Sequence, residues 1–160
     1  MTVLYTPGQL RSAVSIAPET YRHWKKAIEP LRRGRGHSPS FTSGDLLAVA
    51  IIHRLTVGLA IRVGALSPVA GSLFELCNAS PWPMLERAKL LINLFEPRIT
   101  VSSEPTEESS DDPLIVLPLG PVIELLRSEL LAGNEANAQP SLRFPPMAIK
   151  PLAAANGGRS

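Results

Sequence analysis

The residues best placed to do chemistry lie in one stretch, Ala17-Pro18-Glu19-Thr20-Tyr21-Arg22-His23-Trp24-Lys25-Lys26. The spacing predicts a helix over 18–27. Pro18 suits the first helical position, where its missing N–H goes unmissed, and Glu19 complements the positive end of the helix dipole. Arg22, Lys25 and Lys26 recur at three- and four-residue spacing and are expected on one side. Trp24, Tyr21 and Ile28 are left to anchor the helix or to flank that basic side. A short helix presenting cations beside small hydrogen-bonding groups is what reading the major groove of DNA requires. Thr20, Tyr21 and His23 are the candidate base-edge readers, and Arg22, Lys25 and Lys26 the candidate phosphate contacts. Standing alone, the same pattern describes an ordinary solvated surface helix.

Its neighbours strengthen the first reading. Upstream, Thr6-Pro7-Gly8-Gln9 carries a capping box with proline at the first helical position, and Leu10, Ala13 and Val14 give a two-turn apolar stripe. Ser15-Ile16-Ala17 is then the turn of a helix-turn-helix. Downstream, Pro30 ends the basic helix. Arg32-Arg33-Gly34-Arg35-Gly36-His37 forms a basic loop in which glycines let backbone N–H groups approach phosphate and arginines can grip it bidentately. Arg32, Arg33 and Arg35 are therefore the expected contacts of a wing over 32–37.

Charge is distributed to match. Residues 1–65 hold nine Lys/Arg against three Asp/Glu, a net of +6, whereas residues 66–160 hold seven against eleven, a net of −4. A basic front half on an acidic rear half points to a polyanionic partner. Cys77 is the only cysteine, which excludes an internal disulfide and a cysteine-rich metal site. No run of eighteen apolar residues and no charged-then-apolar leader is present, so a cytoplasmic protein without membrane association is expected.

Further elements follow from local signals. Thr42-Ser43-Gly44-Asp45 is a second capping box, opening an apolar helix from about Gly44 to Thr56, ended by Gly58. A helix with Ile61, Val63 and Leu66 follows, restarted or kinked at Ser67-Pro68, and runs to Cys77, which reads as a buried small hydrophobe. Trp82, between Pro81 and Pro83, reads as an anchor joining rear to front, or as a stacking platform for a ligand bound between them. Lys89–Leu94 and Arg98–Ser102 flank Phe95-Glu96-Pro97 as a hairpin, although residues 84–95 can also be read as a helix. Residues 104–112 read as an acidic mobile loop, Leu114–Leu117 as a buried strand, and Pro121 to about Leu131 as a helix with Val122, Leu125, Leu126 and Leu130 on its apolar side.

The order helix, turn, basic helix, wing, apolar helix, further helix resembles the DNA-binding domain of the MerR-like winged helix-turn-helix family. The match rests on Tyr5-Thr6 with Leu10, on Thr20-Tyr21-Arg22-His23-Trp24, on Phe41 four residues before Asp45-Leu46, and on Gly58 with Ile61. It covers about residues 3–77. The resemblance implies that Arg22 contacts phosphate beside the recognition helix and that Trp24 packs against or near the backbone. Two departures stand out. Pro39 occupies the position of a family arginine, and residues 78–131 lack the sustained heptads of a long dimerising helix.

Enzymatic motifs are missing. There is no phosphate-cradling glycine motif, no His-x-x-x-His pair and no nucleophile motif with a nearby base. Glu107-Glu108 and Asp111-Asp112 read as solubilising charge, and His53 as a partly buried structural histidine. Neither a catalytic site, a metal site nor a cofactor is expected. The chain is thus expected to be mainly α within an α+β class: a winged helix-turn-helix domain over 1–78, a small α/β segment over 79–132 that carries self-association, and a disordered tail over 133–160. The expected function is that of a homodimeric transcriptional regulator reading double-stranded DNA, with no effector identified. The alternative is a protein-interaction adaptor that keeps the winged fold without reading DNA.

Overall fold

Thr6 opens the first element as the spacing requires. In the computed structural model, which describes residues 2–104 and 111–137, its hydroxyl accepts the Gln9 N–H and the Gln9 side chain accepts the Thr6 N–H. Helix α1 spans Pro7–Val14 and α2 Pro18–Ala27, each with proline in its first turn. A 3-10 turn over Glu29–Arg33 follows, so Arg32 and Arg33 belong to a helical turn, and the irregular loop begins only at Gly34. Phe41 closes that loop by an antiparallel bridge to Tyr5.

Helix α3, Ser43–His53, starts on the second capping box: Thr42 Oγ1 accepts the Asp45 N–H at 3.1 Å, and Asp45 Oδ2 accepts the Thr42 N–H at 3.0 Å. Its apolar residues leave no solvent face: Leu46, Leu47, Val49, Ile51 and Ile52 are all buried. Burying each such side chain is worth about 1.5–3 kcal/mol, which makes α3 the centre of the core. It passes into a wide π-type turn, Arg54–Gly58. Helix α4 then runs unbroken from Val63 to Ala79 across Pro68, giving up one backbone hydrogen bond rather than restarting. The short helix α5 is Trp82–Leu85.

The hairpin reading of residues 89–102 holds. Strands β1 (Lys89–Asn93) and β2 (Arg98–Ser102) pair antiparallel, and Asn93 Oδ1 fixes the turn by accepting the Phe95 and Glu96 N–H groups. Strand β3, Ile115–Pro118, pairs with the other side of β1, giving the order β2-β1-β3. Leu90, Ile92, Ile99, Ile115 and Leu117 share the face that joins the core. Helix α6, Leu119–Asn137, packs on α1 and α3 through Val122, Ile123 and Leu126. It is longer than the sequence suggests, and residues 133–137, expected in the tail, belong to it. Leu125, expected on the buried side, is 59% exposed, because the inward stripe passes through 119, 122, 123 and 126. The rest of the expected tail and residues 105–110 of the acidic loop lie outside the described residues.

The architecture is therefore mixed α and β, with a small three-stranded antiparallel sheet. A continuous hydrophobic core draws on the helices of the front half and on β1 and α6 of the rear. Among the described residues no helix is long and apolar enough to cross a membrane.

Candidate nucleic-acid interface

The orientation of α2 is set before its charges matter. Ser15 caps α1 in the left-handed conformation, φ 58° and ψ 46°, its N–H bonded to the carbonyls of Arg11 and Ser12. Ile16 is buried and its N–H reaches the Arg11 carbonyl at 3.1 Å, which ties the turn to the core. Helix α2 then lays Tyr21, Trp24 and Ile28 inward, all buried. Trp24 meets His53 of α3, with ring centroids 6.3 Å apart and planes at 53°. Burial and neighbouring Arg54 push the His53 pKa down, which keeps that contact uncharged near neutral pH.

What remains outward is a stripe. Glu19, Arg22, His23 and Lys26 recur at i, i+3, i+4 and i+7 and are all exposed. The side chains of Arg22, His23 and Lys26 make no hydrogen bond or ion pair with other described residues. Thr20, one turn before His23, is half-buried at the edge of the stripe.

The structure regroups the other candidates. Tyr21 does not face solvent: it is 7% exposed, its hydroxyl lies 3.5 Å from the Leu31 carbonyl oxygen, and burial pushes the phenol pKa up despite nearby Arg11. It is an anchor and not a base reader. Lys25 leaves the basic stripe as well, because the helical angle carries it toward Tyr21. Its ammonium sits 5.3 Å from that ring and donates to the Gly34 carbonyl at 3.1 Å.

Arg32, expected on phosphate, folds back onto α2. Its Nε donates to the Lys25 carbonyl at 2.9 Å and its Nη2 to the Lys26 carbonyl at 2.8 Å. A guanidinium there satisfies the last carbonyls of the helix and the negative end of its dipole. Arg33 lies 3.5 Å from the buried Asp45 carboxylate. Of the three arginines expected on the wing, only Arg35 has a side chain without a hydrogen bond or ion pair to other described residues, and it shares the exposed loop with His37.

The loop stands at a fixed distance from α2 because Gly34 admits no side chain. A Cβ there would come within 2.6 Å of both the Phe41 ring and the Tyr21 hydroxyl. Sequence reasoning missed three things: the capping role of Arg32, the Arg33–Asp45 contact, and Glu19 as a member of the outward stripe. The last was readable from spacing alone.

The other chemistry-bearing groups do not converge. Cys77 is buried, and burial together with the Asp45 carboxylate pushes its thiol up to about 12. No group of three His, Cys, Asp or Glu among the described residues could hold a metal ion. Trp82 is half-buried, with the Arg127 guanidinium 6.0 Å from its ring and Glu86 paired to that arginine, an arrangement that joins α5 to α6. In comparisons with known proteins, the chain matches no protein-family model and no curated sequence.

Proposed function

We propose that the protein is a sequence-specific, double-stranded-DNA-binding transcriptional regulator with a MerR-like winged helix-turn-helix front half. Helix α2 enters the major groove and the loop over 34–40 lies on the phosphates. The observation that carries this reading is the division of α2 into two stripes. Tyr21, Trp24 and Ile28 bolt it to the core, while Glu19, Arg22, His23 and Lys26 stand outward, with Arg35 and His37 on the adjacent loop. A ten-residue helix is about 15 Å long, enough to lie across a groove about 12 Å wide. Arg22 and Lys26 suit phosphates or guanine edges, and Thr20 and His23 suit base edges.

One short helix and one loop give few base contacts, so the regulator is read as a homodimer on paired half-sites, with the rear segment carrying self-association. The test is selection from random duplex DNA across a salt series. An enriched motif with affinity falling steeply in salt supports the reading, and the symmetry of the motif reports the dimer. No binding at low salt overturns it.

A second reading, a protein-interaction adaptor, draws on the internal use of Lys25, Arg32 and Arg33, which leaves few free cations for phosphate. The pair Arg22→Glu and Lys26→Glu separates the two. DNA binding must vanish on the first reading, and partner binding must survive on the second.

A further inference from the structure

A cavity of about 210 Å³ opens where the ends of α1 and α3 meet α6. Its wall is apolar, built from Val14, Ala50, Val57, Leu125 and Leu126. Val57 and Leu125 at its mouth are 70% and 59% exposed, so apolar surface stands open to solvent there. For scale, an engineered apolar cavity of about 150 Å³ holds benzene. The space thus suits one ring or branched aliphatic group with a short chain.

The electrostatics select the charge of the occupant. Two helical runs end at this wall: Ser15 caps α1, and the π-type turn that continues α3 closes at Gly58. Helix C-termini carry partial negative charge. Glu129 of α6 lines the same wall, half-buried and without an ion pair to any described residue. Arg54, the only Lys or Arg in the lining, is exposed to solvent, whereas Glu129 is half-buried. His53 in the wall is held uncharged near neutral pH by burial and by Arg54.

We propose that this cavity is a binding site for a small amphipathic organic cation, an amine bearing one aromatic or branched aliphatic group. The ammonium pairs with Glu129, and the apolar part lies against Val14, Ala50 and Leu126. The site does not depend on the DNA reading.

The test uses the full chain, titrated with 2-phenylethylamine and, in parallel, with 3-phenylpropionate, which has a similar ring and chain but the opposite charge. Melting temperature, Trp24 fluorescence and backbone amide shifts are followed. The amine should saturate, shift the amides of Val14, Ala50 and Leu126, and raise the melting temperature by a few degrees at tenfold excess over Kd. The carboxylate should bind at least about fivefold more weakly, in line with one added charge interaction near a protein surface. Glu129→Gln should bring the two to within about twofold of each other, and Ala50→Phe should abolish both by filling the space.

The proposal is overturned if the carboxylate binds as well as the amine, or if the shifts map elsewhere. It is equally overturned if no saturation appears by 20 mM. Should Ala50→Phe fail to fold, the wild-type amide map alone decides.

Discussion

The Arg33 guanidinium lies 3.5 Å from the Asp45 carboxylate, linking the entry of the exposed loop to a carboxylate with no solvent exposure. Asp45 also accepts the Thr42 N–H and, at 2.9 Å, the side-chain amide of Asn78, whose own oxygen meets the Thr42 hydroxyl. Truncation would take this acceptor from the half-buried Thr42 N–H and from the Asn78 amide, which keeps its bond to the Phe74 carbonyl. Asp45→Ala should destabilise the fold by about 3 kcal/mol, combining a lost cap with unsatisfied polar groups. Arg33→Ala, which removes a half-exposed partner, should lower stability by no more than about 1 kcal/mol. Urea denaturation of both variants checks the ranking. Equal effects would mean that the ion pair, and not the cap, dominates.

The division of the basic residues into free and engaged ones has a thermodynamic signature. On the DNA-binding reading, Arg22→Ala and Lys26→Ala should each flatten the slope of log affinity against log salt by about 1 while leaving the melting temperature unchanged. Arg32→Ala should do the opposite: its head caps α2, so stability falls and the slope stays. Salt-series binding with parallel thermal melts decides between these patterns. A slope change for Arg32→Ala equal to that for Arg22→Ala would contradict the assignment.

Gly34 and Ser15 make opposite predictions from backbone geometry. Gly34→Ala forces a methyl to within 2.6 Å of Phe41 and Tyr21, both fixed in the core, and should cost about 1–3 kcal/mol. Ser15 holds φ at 58°, a conformation glycine adopts without penalty, so Ser15→Gly should stabilise by about 0.5–1 kcal/mol. In a domain of this size each kcal/mol moves the melting point by about 2–4 °C, which calorimetry resolves. A melting point lowered by Ser15→Gly would show that the serine side chain does more than its backbone position requires.

What the sequence disclosed, and what it hid, divides by range. Both capping boxes were legible because donor and acceptor are three residues apart, and the hairpin because Phe95-Glu96-Pro97 interrupts two β-type runs. The burial of Tyr21 was implicit in the 21, 24, 28 spacing, although the polar hydroxyl also suggested a reader. The partners of Lys25, Arg32 and Arg33 lie 6 to 12 residues away and exist only once the chain turns back on itself at the 3-10 segment. Helix α4 crosses Pro68 because packing of Leu66, Val69 and Leu73 outweighs one missing hydrogen bond, which local propensity alone does not reveal.

Cys77 supplies a test of the core that needs no knowledge of function. Its thiol is buried beside α3 and pushed up to about 12, first by burial and then by the Asp45 carboxylate. The native protein should therefore resist a thiol reagent at pH 8 and react fully in urea. The linkage sign follows from the raised value. Above the ordinary thiol pKa the unfolded chain releases a proton that the folded chain keeps, so stability is fully present below about pH 8.5 and declines toward pH 12. Cys77→Ala lacks this contribution, so it should be less stable than wild type at pH 7, by about 1 kcal/mol for the lost packing, and should close that gap as pH rises past 9. Urea midpoints at pH 7, 9 and 10.5 would show the gap close and then reverse in favour of the variant. A gap constant across that range would place Cys77 in a solvent-accessible setting and undo the packing of α4 against α3.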